Sequence, residues 1–210
     1  MATIGYRDGM LTAKALALEQ KKYKMDIYPY VYSTAELLKA SVSAGATTSF
    51  TLGTTLRVPR ALKVINNLQA ASERAMKLVI KGYNAEGNYA EETLTLSSAA
   101  TGRTAGNVAF AYVSSIVPAV ATKGYGTYST VSIYPTDKFG LTEHCESEAD
   151  ILQVSAWGGT AGRIYSATSY PINSTTFSPT YNSVDLKTIG AAGSTLGIKY
   201  LSKFQRKDTM

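Results

Sequence analysis

Beyond its N-terminal section, the chain places apolar residues at alternate positions between Thr, Ser, Tyr and Lys. In MKLVIKGY, residues 76–83, Leu78 and Ile80 fall on one side of the alternation, whereas Lys77 and Lys81 fall on the other. A period of two is typical of β-strands that have one buried face, and helical spacing is not sustained in this part of the chain. The pattern therefore predicts strands.

Ten segments of this kind, separated by turns, follow one another at near-regular intervals. They are residues 48–56, 61–66, 76–83, 91–96, 108–117, 129–134, 151–157, 163–168, 183–189 and 196–204. Many short strands at such spacing predict an all-β domain, either an antiparallel β-sandwich or a jelly-roll-like barrel. We place this domain at residues 46–210. Within it, residues 67–76 fit either a helical turn or a polar loop.

Residues 1–45 differ from the rest and are predicted to form an extended N-terminal arm with short helical segments. Residues 11–24 carry Leu11, Ala15 and Leu18 on one stripe of an amphipathic helix. Ser33, followed three residues later by Glu36, matches a capping box that opens a second short helix at residues 34–41.

Between these helices, the extended segment YKMDIYPYVY contains four tyrosines around a proline. They are the candidate partner-interface residues Tyr23, Tyr28, Tyr30 and Tyr32. Tyrosine supplies a large contact area at a low cost in side-chain entropy, which suits docking on another surface. Composition leaves two placements open: the arm covers a neighbouring subunit, or it folds back on its own domain.

The segment KGYNAEGNYAEETLTL, residues 81–96, raises the question of a paired-carboxylate site because Glu91 and Glu92 are adjacent. A five-residue loop, 84–88, with Gly87 at a position of positive φ predicts a hairpin instead. Adjacent strand residues point to opposite faces, so the two glutamates do not converge on one substrate. Lysines across the hairpin are expected to pair with either carboxylate.

A second candidate site is the acidic segment, residues 136–150. It holds the chain's one histidine, His144, its one cysteine, Cys145, and five carboxylates. One His beside one Cys supplies at most two of the four ligands that zinc requires, and the spacing of calcium-binding loops is missing. The segment lacks a serine-nucleophile motif as well. We expect no catalytic residue, cofactor or metal, and leave open whether the segment is a solvated loop or a salt-bridging contact surface.

The net charge of +6 is unevenly distributed along the chain. Residues 81–150 carry four Lys/Arg against eight Asp/Glu, whereas basic residues are in excess on both sides. Segments of opposite sign suit contacts between subunits, and this distribution does not favour direct binding of nucleic acid. One cysteine excludes an intrachain disulfide. The sequence shows neither a membrane span nor a signal peptide, which predicts a protein that is made and kept in a cytoplasm or is assembled there.

The order of motifs over residues 57–202 resembles a family of structural proteins from tailed-bacteriophage virions, of the capsid decoration or cement type. The resemblance is carried by VPRALKVIN, LVIKGYNAEGNYAEETLTL, NVAFAYVSSIV, TDKFGL and SVDLKTIGAAGSTLGIKYL. Its marker residues are Val58, Pro59 and Arg60, then Gly82, Gly87 and Glu92, then Ala109, Phe110, Val113, Ser115 and Ile116, then residues 137–141, and finally Tyr200 and Leu201. The chain departs from the family at Thr136, at Phe139 and in the acidic run after Leu141.

The resemblance implies a virion component without enzymatic activity that binds and stabilises the assembled head shell. It implies the major capsid protein as partner, self-association as a homotrimer, and a location on the capsid surface after synthesis in the host cytoplasm. Two alternatives remain. One is a component of the tail tube, tail tip or fibre. The other is a carbohydrate-binding β-sandwich in which Trp157 and the tyrosines are stacking platforms.

Overall fold

The computed structural model describes most of the chain. The described residues are 21–31, 36–43, 49–67, 77–97, 99, 101–119, 130–158, 166–170, 175–186 and 194–203. Within these ranges the fold is almost entirely β, with one turn of 3-10 helix at Glu148–Asp150. The predicted all-β class is confirmed.

Thirteen strands form in the described residues. They are β1 (Lys21–Val31), β2 (Lys39–Ser43), β3 (Arg60–Asn67), β4 (Lys77–Asn84), β5 (Tyr89–Thr95), β6 (Thr101–Ala105), β7 (Phe110–Ala119), β8 (Thr130–Gly140), β9 (Ile151–Gly158), β10 (Ser166–Tyr170), β11 (Thr175–Ser178), β12 (Ser183–Leu186) and β13 (Ser194–Lys203).

Two curled antiparallel sheets hold these strands and together form a half-barrel. The four-stranded sheet has the order β1-β13-β9-β10. The nine-stranded sheet follows the order β11-β12-β8-β3-β7-β4-β5, with β2 paired to β8 and β6 paired to β3. Strand β1 therefore joins the sheet through β13, the last strand of the described chain, and the two run antiparallel from Lys21 opposite Lys203.

Two clusters of buried side chains form the core. The first lies against the nine-stranded sheet, and its largest members are Leu62, Leu78, Ile80, Phe110, Ile116 and Ile133. The second joins the two sheets, because it combines residues of β1, β9 and β13 with residues of β8, β11 and β12. Its members include Tyr28, Phe139, Ile151, Val184, Leu196 and Tyr200. Burial of these apolar side chains is what holds one sheet to the other.

Most of the predicted strands are confirmed, with β3, β4, β5, β7, β8, β9, β12 and β13 in the expected segments and β10 overlapping residues 163–168. Residues 48–56 differ, since their described part contributes one isolated bridge, between Phe50 and Ile116. The backbone N–H groups of Gly53 and Thr54 both donate to the carbonyl of Leu38, which turns the chain out of the ladder. Strands β6 and β11 were not predicted, and residues 68–76 lie outside the described ranges.

The described parts of the two predicted N-terminal helices, residues 21–24 and 36–41, contain no helix. Residues 21–24, the end of the first, belong to β1, and residues 39–41, the end of the second, belong to β2. The N–H of Leu38 donates to the carbonyl of Ile133 in β8 at 2.8 Å, so the backbone there is already paired across the sheet. Tertiary pairing has overridden the local helical pattern. Residues 1–20 and 32–35 lie outside the described ranges.

The hairpin of β4 and β5 is confirmed in loop and register. Gly87 has a φ of 82°, and the N–H of Asn84 donates to the carbonyl of Asn88 at 2.9 Å. Tyr83 lies opposite Tyr89 on the outer face of the hairpin. Leu78, Ile80 and Leu94, on its inner face, are buried in the core. The loop therefore fixes which side chains share each face.

Gly82 allows β4 to approach β7 at a bulge. A Cβ on this residue would overlap the backbone carbonyl of Tyr112 and lie 3.0 Å from the Cα of Val113. The register of the two strands shifts between Lys81 and Gly82. Only a residue without a side chain fits this approach.

We expect Gly82→Ala to lower the free energy of unfolding by about 2 to 4 kcal/mol, because the added methyl group meets backbone atoms that cannot move aside independently. Urea denaturation of the two proteins measures the difference. Gly87→Ala is the matched control. It has open space around it and only the positive φ to oppose it, so its expected loss is about 1 kcal/mol. Equal losses for the two variants would contradict the steric explanation.

Candidate functional site

The acidic segment is matched by lysines of the two neighbouring strands β1 and β13. The pairs are Lys21 with Asp150 at 2.7 Å, Lys24 with Glu143 at 3.2 Å and Lys203 with Glu146 at 2.7 Å. The Ser202 hydroxyl also donates to Glu143 at 2.7 Å. Of the two interpretations left open, salt bridging therefore takes place, and it does so within the chain.

A buried carboxylate, Asp26 of β1, connects the same strands to the start of this segment. It accepts hydrogen bonds from the backbone N–H of Thr142 at 2.8 Å and from the Thr142 hydroxyl at 2.6 Å. The Tyr200 hydroxyl donates to it at 3.0 Å, and that of Tyr28 lies 3.3 Å away. The side chain is 5% exposed. Three hydrogen bonds to one buried carboxylate, from the N–H and hydroxyl of Thr142 and from Tyr200, meet the requirement that such a group be hydrogen-bonded.

The two tyrosines around Asp26 keep their protons. Burial raises the pKa of Tyr28 and of Tyr200 well above the usual range, and the nearby carboxylate of Asp26 raises each further. Tyr200 also accepts from the N–H of Glu143 at 3.0 Å. A protonated phenol is a hydrogen-bond donor, so Tyr200 donates to Asp26 and Tyr28 donates to the carbonyl of Gly140, and both tyrosines hold strands in place.

His144 and Cys145 do not form a reactive pair. Burial raises the pKa of the Cys145 thiol to about 11, so it stays protonated, and its Sγ lies 3.4 Å from the carbonyl of Ser147. Nδ1 of His144 lies 3.7 Å from Glu86. Among the described residues, no three His, Cys, Asp or Glu side chains are grouped closely enough to hold a metal ion.

Asn182 fixes the shape of the acidic segment. Its amide nitrogen donates to Glu86 at 2.7 Å and to the carbonyls of Leu141 and Glu143, and its amide oxygen accepts from the N–H of Cys145 at 3.0 Å. Its φ of 45° lies in the left-handed region, which asparagine tolerates better than most residues. A single side chain thus provides hydrogen-bond partners for three backbone groups of the turn after β8.

Glu91 and Glu92 lie on opposite faces of the hairpin, as predicted. Glu91 pairs with Lys81 at 3.4 Å on the outer face. Glu92 turns the other way and accepts from the backbone N–H groups of Asn107 at 2.6 Å and Val108 at 3.3 Å. Burial raises its pKa, and those backbone donors oppose the rise. Glu92 therefore ties down the turn between β6 and β7.

The four arm tyrosines have different environments. Tyr23 is 74% exposed on β1, whereas Tyr28 is 3% exposed and donates to the carbonyl of Gly140 as part of the core. The backbone of Tyr30 lies in β1, but its side chain and the whole of Tyr32 lie outside the described part of the chain. Residues 21–31 form a strand of their own domain, which is one of the two placements predicted for the arm.

Two further apolar side chains join Tyr23 on the outer face of β1. Met25 is 46% exposed and Ile27 is 59% exposed, at the alternate positions of the strand. The ammonium of Lys199 lies 5.6 Å from the centre of the Tyr23 ring. We call Tyr23, Met25 and Ile27 the β1 stripe. Sequence reasoning selected only the tyrosine because it treated the arm as a docking segment and did not assign it the period of a strand.

Three other exposed tyrosines were missed. Tyr83, Tyr89 and Tyr112 stand side by side on β4, β5 and β7, with ring centres 6.1 Å apart for Tyr83 and Tyr89 and 6.5 Å apart for Tyr83 and Tyr112. They are between 47% and 59% exposed. We call them the tyrosine platform. The backbone of Trp157 lies in β9 opposite Ala167 and Thr195, and its side chain is outside the described atoms.

We expect Asp26→Asn to lower the free energy of unfolding by about 2 to 4 kcal/mol, because an amide NH₂ would face donors that now meet an acceptor. Thermal and urea unfolding at neutral pH give the measurement. Glu148→Gln is a control that makes the same chemical change at an exposed position of the acidic segment. A loss below about 0.5 kcal/mol for Asp26→Asn would refute the assigned role.

The ion pairs between these lysines and the acidic segment predict that the free energy of unfolding depends on pH. Hydrogen bonds from Lys203 and Ser202 lower the pKa of Glu146 and Glu143 respectively below the ordinary 4.5. Their contribution to stability is therefore present above about pH 4.5 and is lost as the pH falls through the folded-state pKa.

Urea denaturation of the wild type and of the double variant Glu143→Gln/Glu146→Gln from pH 7 to pH 3 tests this dependence. We expect the wild type to be more stable at pH 7, by less than about 1 kcal/mol because both groups are partly exposed, and the difference to vanish at low pH. A difference that stays constant over the range would contradict the assignment.

Within the described ranges, no helix is long and apolar enough to cross a membrane. Comparison with models of protein families, with curated proteins and with solved structures finds no match to this chain.

Proposed function

We propose that this chain is a structural protein of a tailed-bacteriophage virion, a capsid decoration protein that binds the assembled head shell and stabilises it. In this proposal the two sheets are the layers of a β-sandwich of jelly-roll type, and three chains assemble as a homotrimer. The partner is the major capsid protein, and the chain has no enzymatic activity. The order of motifs along residues 57–202 supports this assignment as a resemblance.

The observation that carries the proposal is the β1 stripe. Single exposed apolar side chains are common on protein surfaces, but Tyr23, Met25 and Ile27 are consecutive on one face of one strand. Strand β1 is also the end of its sheet, so among the described strands only β13 pairs with it. An apolar row beside a strand edge that no other described strand occupies suits attachment to another polypeptide, by side-chain packing and by strand addition.

The stripe is held rigidly, which favours a binding role. Asp26 lies between the stripe residues Met25 and Ile27 in sequence and anchors β1 from the opposite face. Lys21 and Lys24 bind the acidic segment on either side of Tyr23. A surface that is ordered before it binds loses little conformational entropy on binding.

Stabilisation of a shell follows from mass action. A protein that binds the assembled shell and not its free subunits stabilises the shell by the free energy of that binding. Three stripes on one trimer would engage neighbouring capsid subunits together, so modest contacts would add up as avidity. No reaction needs to be catalysed for this function.

We expect the double variant Tyr23→Ser/Ile27→Ser to bind head shells at least roughly tenfold more weakly than the wild type, since it removes most of the apolar area of the stripe. The assay is cosedimentation with heads of phage particles that lack this chain. The matched control, Tyr89→Ser/Tyr112→Ser, removes exposed rings from the other sheet and should bind like the wild type.

Light scattering during size exclusion supplies the oligomeric state, with an expected mass three times the 22.4 kDa of the chain.

Shell binding by the stripe variant at wild-type strength would overturn the role of the stripe. Rings or open-ended tubes of the isolated protein in electron micrographs would place it in the tail instead of the head.

A further inference from the structure

The tyrosine platform is continuous with a cleft. Tyr112 forms part of the platform and also lines an open cleft of about 230 Å³ beside β7. Other walls of this cleft are the threonines Thr51, Thr54 and Thr55, with Leu52 and Val113. Exposed rings therefore lead into a recess with hydroxyl-bearing and small apolar walls.

The shape of the platform suits a flat ligand. Tyr83 and Tyr112 are paired across β4 and β7, and their rings are inclined by 34° with their centres 6.5 Å apart. Tyr89 meets Tyr83 edge to face, at 83°, and borders this pair. A pyranose ring has one apolar face of C–H groups that stacks on an aromatic ring and a rim of hydroxyls that require polar partners.

Polar partners for such a rim are next to the rings. Lys81 and Glu91 lie opposite each other on the same two strands, two residues from Tyr83 and Tyr89 respectively, and their charged groups are 3.4 Å apart. The Tyr89 hydroxyl lies 3.3 Å from Glu91. This rim offers both donors and acceptors while its two charges cancel. Charge complementarity therefore favours a neutral ligand over a phosphate, a sulfated sugar or a basic peptide.

The platform is preorganised by backbone contacts. Gly82 lets β4 approach β7 closely, which brings Tyr83 beside Tyr112. The Ser114 hydroxyl donates to the carbonyl of Lys81 at 2.9 Å, and the Asn84 side chain accepts from the N–H groups of Glu86 and Asn88 in the loop. Rings on paired strands keep their positions when the ligand is absent.

From these observations we propose that the tyrosine platform and its cleft bind a neutral oligosaccharide, with pyranose rings stacked on Tyr83 and Tyr112 and hydroxyls bonded to Lys81, Glu91 and the cleft threonines. The site shares no residue with the β1 stripe and lies on the other sheet. It therefore goes beyond attachment to a shell, and each surface can be tested without the other.

The test uses the full chain and a panel of neutral hexasaccharides, namely cellohexaose, chitohexaose, maltohexaose and mannohexaose, in isothermal titration calorimetry. We expect at least one of them to bind, and Tyr112→Ala and Tyr83→Ala each to weaken that binding by roughly five- to tenfold. Tyr83→Phe keeps the ring and should retain most of the affinity.

The control is Tyr23→Ala, which removes a still more exposed ring from the β1 stripe and should leave sugar binding unchanged. Because all these residues are exposed, the variants should unfold at the same temperature as the wild type. Thermal unfolding therefore shows whether each variant is folded. No binding to any of the four sugars, or binding that survives Tyr112→Ala, would refute the site. Binding of a proline-rich peptide at these rings, without sugar binding, would likewise overturn it in favour of a peptide site.

Discussion

Asp26 of β1 is a carboxylate almost entirely out of contact with solvent, and its oxygens accept hydrogen bonds from β13 and from the start of the acidic segment. A buried carboxylate without such donors would cost several kcal/mol, so the three elements must meet correctly for the fold to form. The lysine pairs around it then match three of the five carboxylates of the segment, Glu143, Glu146 and Asp150. The packing of the four-stranded sheet on β8, β11 and β12 depends on this arrangement.

The two exposed surfaces arise from the same rule of alternation. In β1, the residues that flank Asp26 face outward because Asp26 and Tyr28 face inward, and the β1 stripe is the outer half of that pattern. In β4, Tyr83 faces outward because Gly82 turns toward β7. The two proposed functions therefore belong to the solvent-facing sides of β1 and β4. Packing of the inner side of each strand in the core also holds its outer side in place.

Local patterns allowed the hairpin of β4 and β5 to be predicted in detail. The loop and Gly87 set its register, and the same register already places Tyr83 opposite Tyr89. Tyr112 could not be added from the sequence, because two register shifts interrupt the pairing of β4 with β7.

The hydrogen-bond partners of Asp26 could not be predicted from the sequence either. Thr142 and Tyr200 lie 116 and 174 residues away in the sequence, and no periodicity links them. The helical pattern at residues 21–24 was misleading because pairing with β13 decides the conformation there.

The pairing of β1 with β13 also has a consequence for synthesis. Residues 32–193 separate the two strands, so β1 leaves the ribosome long before its partner exists. Until then its apolar positions are exposed on both faces, in a form that favours aggregation. Lys21, Lys22 and Lys24 interrupt the apolar residues at the start of the strand, as charged gatekeepers do. Lys21 and Lys24 thus interrupt the apolar residues of β1 before β13 is made, and they bind the acidic segment once the fold has formed.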